Sequence, residues 1–159
     1  MTIAFVGLGS NLDDPQRQVE RALAELHAIP RTKLVRASSL YRSAPVGYAQ
    51  QPHFVNAVAQ LDTALEPVRL LERLQAIEAA HGRSRSFPNA PRTLDLDLLL
   101  YSDKTEDSPA LTLPHPRMHE RAFVLKPLVE LEPGARIPRH GTARECLAAC
   151  AGQDVERIA

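Results

Sequence analysis

The apolar positions along the chain change period several times, and each change marks an element. Residues 2–8 form a short run rich in β-formers, ended by Gly7, Gly9, Ser10 and Asn11, which predicts a strand running into a turn. Asp13 or Asp14 then offers a helix cap, with Pro15 in the first turn. Val19, Leu23, Leu26 and Ile29 recur at helical spacing until Pro30 stops the pattern. Residues 32–41 predict a second strand, 42–52 a loop with two prolines and a glycine, and 54–61 a third strand. Pro67 opens a second helix with Leu70, Leu71, Leu74 and Ile77 on one stripe, ending at Gly82. Residues 83–91 form a polar, basic loop, 93–101 predict a strong strand, and 102–109 have the composition of a mobile stretch. Pro114 and Pro116 interrupt the next segment. Residues 123–131 predict a short helix or turn, because Pro127 restricts the backbone at Lys126, and 143–151 predict a final helix.

The order strand–helix–strand–strand–helix–strand is the split βαβ, or ferredoxin-like, arrangement. It implies an α+β fold with helices packed on one face of a mostly antiparallel sheet. The other face is left for a ligand or for added C-terminal segments. No repeat, low-complexity run or linker interrupts residues 1–159, so one domain is expected.

Composition narrows the function. Nineteen basic and nineteen acidic residues cancel, which argues against bulk nucleic-acid affinity, since that rests on excess positive charge. The N-terminus lacks a charged region before its apolar run, and no apolar stretch approaches membrane-spanning length. Cys146 and Cys150 lack His or Cys partners at zinc-site spacing, and are expected to be free thiols in a reducing cytoplasm. Aromatics are few, with four Phe, three Tyr and no Trp, so each one present is informative.

The strongest chemical signal is the strand over residues 92–101, RTLDLDLLLY. Side chains in a strand alternate faces, so Leu94, Leu96, Leu98 and Leu100 are expected on the core face, with Asp95 and Asp97 together on the other. Two such carboxylates stand roughly 6–7 Å apart at the backbone and can converge on a hard cation. The residues alone leave two readings open: a solvated face whose carboxylates pair with arginines, or a metal pair. Arg83, Arg85 and Arg92 precede the strand. Cations that hold phosphate beside carboxylates that hold Mg²⁺ are the working parts of phosphoryl-type transfer.

Several segments, in order along nearly the whole chain, carry a resemblance. They are GLGSNL (7–12), SLYRSAPVG (39–47), QPHFVNA (51–57), QAIE (75–78), Gly82-Arg83, PRTLDLDL (91–98), LPHP (113–116) and RAFVL (121–125). The chain resembles the 6-hydroxymethyl-7,8-dihydropterin pyrophosphokinases of folate biosynthesis. The resemblance implies the same ferredoxin-like fold and an Mg²⁺-dependent transfer of the β,γ-pyrophosphoryl unit of ATP to the pterin hydroxymethyl group, with release of AMP. It implies two Mg²⁺ ions on Asp95 and Asp97, and catalytic roles for these two residues together with Arg83 and Arg92. Around the nucleotide it implies Gln75, Glu78, Arg85, Arg92, Thr112, His115 and Arg121. Around the pterin it implies stacking by Phe54 and Phe123, polar recognition by Asn56, and wall contacts from Ser43, Ala44 and Val46. The loops 42–52 and 83–91 are expected to act as a lid that nucleotide orders before the pterin binds. The chain departs from the best-known bacterial pattern at Asn89, which stands near the place of a tryptophan, and at Ala110 and Pro116. A monomer working on small molecules alone is expected. The competing expectation is a non-catalytic ferredoxin-like module that binds a nucleotide or another ligand.

Overall fold

The computed structural model describes residues 1–44, 52–82 and 93–159. Nine-residue β1 (Thr2–Ser10) leads into α1 (Pro15–His27), then β2 (Thr32–Ala37), β3 (Tyr41–Ser43), β4 (Phe54–Thr63), α2 (Pro67–Ala80) and β5 (Asp95–Tyr101). Two short hairpins follow, β6 (Glu106–Asp107) with β7 (Thr112–Leu113), and β8 (Arg136–Ile137) with β9 (Gly141–Thr142). Between and after them lie a 3₁₀ turn at Met118–Glu120, α3 (Ala122–Leu131), α4 (Ala143–Ala148) and β10 (Val155–Arg157).

The main sheet runs β10-β3-β4-β1-β5, with β2 also pairing β4, and every pairing is antiparallel. Its β1–α1–β2 and β4–α2–β5 halves make the split βαβ core of an α+β ferredoxin-like fold. The alternation in β1 divides the molecule. Ala4, Val6 and Leu8 face a core shared with Val19 and Leu26 of α1 and Leu70 and Leu74 of α2. Phe5 faces a second core with Val58, Leu99 and Leu100 of the sheet, Leu125 and Leu128 of α3, and Cys146. The sheet is therefore covered on both faces, by α1 and α2 on one and by α3 and α4 on the other.

The structure corrects two boundaries and one cap, and confirms one helix. The run 32–41 is two strands, because the chain leaves β4 after Ala37 and rejoins it at Tyr41; Arg42 and Ser43 thus belong to β3, not to a loop. Asp14 does not cap α1 through its side chain; it is left-handed at φ 61°, and its carbonyl accepts from Gln18 N at 3.0 Å. The expected short helix over 123–131 forms as α3, which runs ten residues straight through Pro127, since burial of Val124, Leu125, Leu128 and Leu131 outweighs the lost hydrogen bond. α4 stops at Ala148, short of Cys150, although Thr142 and Glu145 form a full capping box at its start.

A further correction bears on the site. Leu100 does not share a face with Leu96 and Leu98. Val6 pairs with Leu98 but Phe5 pairs with Leu100, so Leu99 is an extra residue in β5. This bulge turns Leu99 and Leu100 together into the second core, while Leu94, Leu96 and Leu98 stay in the first.

Candidate active site

The face of the sheet that carries the second core is only partly covered. At one end α3 and α4 pack on it; at the other it opens as a cleft of about 710 Å³, part of it open to solvent. Register explains what lines the floor. Residues directly opposite in an antiparallel pair share a face. Asp97 lies opposite Gly7 and Asp95 opposite Gly9, and on the other side of β1 Gly9 lies opposite Asn56. The carboxylates on β5 are thus separated from Asn56 and Phe54 on β4 by two residues without side chains. Neither glycine has a positive φ; Gly9 is needed for space, while a Cβ on Gly7 would only touch Leu99 at 3.4 Å. A Cβ on Gly9 would stand 3.2 Å from Asn56 Nδ2 and 3.8 Å from Phe54 Cδ1.

Ser43, Ala44, Phe54, Asn56 and Phe123 all border this cleft, Phe54 rising from β4 and Phe123 from the first turn of α3. Asn56 is buried, and its Oδ1 accepts from Ser43 Oγ at 2.5 Å. Asn56 therefore has a fixed amide plane with its NH₂ over Gly9. β3 is itself held in place: Tyr41 donates to Glu130 of α3 at 2.5 Å, and Glu130 also accepts from Ser39. Burial, with that bond, pushes the Tyr41 hydroxyl up to about 12. β10, which no apolar pattern signals, pairs with β3 from the far side and sets Val155 opposite Ser43.

The acidic wall is built with equal care. Asp95 and Asp97 are half-buried and line the cleft with Arg117, Arg121 and Phe123. His115 N donates to Leu99 O at 2.9 Å, so the bulge in β5 anchors this segment beside the strand. His115 Nε2 then lies 3.9 Å from Asp97 Oδ1, and Nδ1 accepts from Arg117 N at 3.2 Å. A ring that accepts at Nδ1 and carries its proton on Nε2 is neutral. Burial first, then the charges of Arg121 and Arg117, hold His115 down to about 4 against the opposing pull of Asp95. The Arg121 guanidinium lies 5.6 Å from the centre of the Phe123 ring, a cation–π contact at the mouth of the cleft.

Two hard, partly exposed oxygen donors on one strand face suit Mg²⁺, which takes one or two carboxylates and fills its shell with water and substrate phosphate. Among the described residues no group of three or more His, Cys, Asp or Glu could hold a metal by itself. A cation on Asp95 and Asp97 would depend on such outside ligands.

The remaining expected positions divide. Gln75 is exposed on α2, and Thr112 is half-buried in the β6–β7 hairpin; neither lines this cleft. Glu78 is buried beneath β5, its Oε2 accepting from Leu96 N at 2.7 Å. Val46, Arg83, Arg85, Asn89 and Arg92 lie outside the described residues. Two residues escaped the sequence reading. Arg117 lines the cleft, and its signal was its place two residues after His115. Asn11 is buried, and its Nδ2 donates to Pro52 O at 3.1 Å, tying the end of β1 to the residues just before Phe54.

Comparison with known proteins identifies the family. Residues 5–133 match the family model for 7,8-dihydro-6-hydroxymethylpterin-pyrophosphokinase. The chain is 49% identical over 154 residues to the 2-amino-4-hydroxy-6-hydroxymethyldihydropteridine pyrophosphokinase of Pseudomonas aeruginosa, covering 97% of this chain and 95% of that protein. The like-named protein of Haemophilus influenzae is 44% identical over 138 residues, covering 87% and 86%. Among solved structures, an HPPK-DHPS crystal structure in complex with substrates superposes with a TM-score of 0.72 over 93% of this chain at 12% identity. Wild-type Plasmodium falciparum HPPK-DHPS with pteroate gives 0.74 over 93% at 14%. The chain spans only 43% and 42% of those two longer chains, and at such identity they speak for the fold alone. The family match and the relatives together show that the chain belongs to the 7,8-dihydro-6-hydroxymethylpterin-pyrophosphokinase family.

Proposed function

We infer that this protein transfers the β,γ-pyrophosphoryl unit of ATP to the hydroxymethyl oxygen of 6-hydroxymethyl-7,8-dihydropterin, a step of folate biosynthesis. The pterin oxygen attacks the β-phosphorus, its proton is lost, the bond from the β-phosphorus to the α–β bridging oxygen breaks, and AMP leaves with that oxygen. The observation that carries the reading is the layout of one open sheet face: carboxylates at one side, aromatics and a fixed amide at the other, and a floor of two glycines between.

Each part has a task. Phe54 and Phe123 stack on the flat pterin, each contact worth on the order of 1 kcal/mol. Asn56, held by Ser43, offers its amide to the polar edge of the ring, and Ala44 and Val46 wall it. Asp95 and Asp97 would hold the two expected Mg²⁺ ions, whose chemistry would be to neutralise charge along the triphosphate and ease the departure of AMP. Arg121, Arg117 and the neutral His115 sit where phosphate oxygens would lie beside those carboxylates, and Arg83, Arg85 and Arg92 add further cationic grip. Gln75 and Thr112 serve the nucleotide outside the described cleft. Catalysis here is positioning plus electrostatics, with no strong base required.

The protein acts as a single-domain monomer in the cytoplasm. Two buried free thiols suit a reducing compartment. Calorimetric titration with a non-hydrolysable ATP analogue, with and without Mg²⁺, tests the site. Affinity that collapses without Mg²⁺ supports the enzyme; affinity indifferent to Mg²⁺ favours a non-catalytic binding module.

A further inference from the structure

β5 ends the sheet, so half of its backbone groups face away from β1 and need partners elsewhere. The region is buried, so water cannot supply them: Leu96 is in the first core and Glu78 is itself buried. Leu96 N points outward, to Glu78 Oε2 at 2.7 Å. Backbone direction alternates along a strand, so Asp95 and Asp97, on either side of Leu96, turn their N–H groups inward to β1, opposite Gly9 and Gly7. The three consecutive residues of the acidic strand are thus gripped from both edges. The sheet ladder holds the two aspartates, and a carboxylate from α2 holds the residue between them. α2 is in turn seated by Leu70 and Leu74 in the same core that receives Leu96.

We propose that Glu78 is a positioning residue for the metal pair: by accepting from Leu96 N it fixes the backbone between Asp95 and Asp97, and with it the spacing and aim of their carboxylates. The proposal rests on the reading of Asp95 and Asp97 as Mg²⁺ ligands. It gives Glu78 work beneath the strand, where the resemblance implied a residue of the nucleotide's surroundings. Partners that orient metal ligands typically change metal affinity by about 10–100-fold when removed.

The test compares the full-length wild type with Glu78→Gln and Glu78→Ala. Gln keeps a carbonyl that can accept from Leu96 N; Ala does not. Three readouts are taken: Mg²⁺ affinity in the presence of a non-hydrolysable ATP analogue, amide hydrogen exchange at Leu96, and the KM for ATP at saturating Mg²⁺. The proposal expects Glu78→Ala to weaken Mg²⁺ by about tenfold or more, to speed Leu96 exchange, and to leave the ATP KM within about threefold. It expects Glu78→Gln to keep Leu96 protected and most of the Mg²⁺ affinity. A folded Glu78→Ala protein with wild-type Mg²⁺ affinity overturns it. If the Ala variant does not fold, the Gln variant still decides. Leu96 protected with Mg²⁺ affinity as low as that of Asp97→Ala, or an ATP KM raised while Mg²⁺ affinity is unchanged, overturns the positioning role. A wild type that binds the analogue without regard to Mg²⁺ instead defeats the underlying reading of the aspartates.

Discussion

Single residues decide how much room and charge the cleft holds. Gly9 is the most exacting, because a Cβ there would stand 3.2 Å from Asn56 Nδ2. Its backbone is ordinary, so Gly9→Ala should fold normally yet push Asn56 out of its Ser43-bonded plane. The expected result is a several-fold weaker pterin affinity in a fluorescence titration, with little change in melting temperature. Asp97→Ala separates chemistry from stability in the same way. Removing one of two neighbouring carboxylates relieves repulsion, so the fold should hold. Turnover should fall by at least about 100-fold, because metal-borne charge stabilisation is worth several kcal/mol. Near-normal turnover in a folded variant would contradict the metal role. The shared face of Asp95 and Asp97 was legible from alternation alone, whereas a metal role for them, and the residues expected around a pterin, came only with the family resemblance. Arg117 was not, because an arginine in a proline-rich turn looks like any surface arginine until the turn is folded against Asp95 and Asp97.

At the scale of elements, β5 organises the site through one irregularity. The extra residue Leu99 buries its side chain under Gly7, where Cδ1 would lie 3.4 Å from a Cβ, and offers its carbonyl to His115 N. Leu99→Ala should therefore leave a cavity and cost about 2–5 kcal/mol in urea unfolding. It should also loosen the His115 segment; a cost below about 1 kcal/mol would mean that the bulge is not a packing anchor. Strict alternation placed Leu100 with Leu96 and Leu98, and nothing in four consecutive apolar residues signals where a strand adds one. The break between β2 and β3 was hidden for a related reason, since both strands pair with β4 and the sequence between them stays β-like. β10 was illegible because its three residues have no apolar alternation; only its pairing with β3 makes it a strand.

At the scale of the molecule, the two faces of the sheet divide the labour. The helices that the βαβ pattern foretold, α1 and α2, make the first core. The C-terminal α3 and α4 cover half of the opposite face and leave the other half as the cleft. That division follows from residues far apart in sequence, which is why the pattern could say only that one face was free. It also gives the unliganded protein a pH dependence. His115 is held at about 4 against an ordinary 6.5. Between those values the unfolded chain takes up a proton that the folded chain refuses, so stability is lost as pH falls through that window, with the loss complete below about 4. The effect is on the order of 3 kcal/mol. Urea unfolding at pH 7 and pH 4.5 should show a steeper loss for the wild type than for His115→Gln; equal losses would contradict the buried neutral ring. The most direct test of the whole account is ³¹P NMR of the protein with ATP, Mg²⁺ and 6-hydroxymethyl-7,8-dihydropterin. AMP and a pterin diphosphate should appear in equal amounts, and only with Mg²⁺ present. ADP with a pterin monophosphate, or an unchanged ATP spectrum, would contradict it.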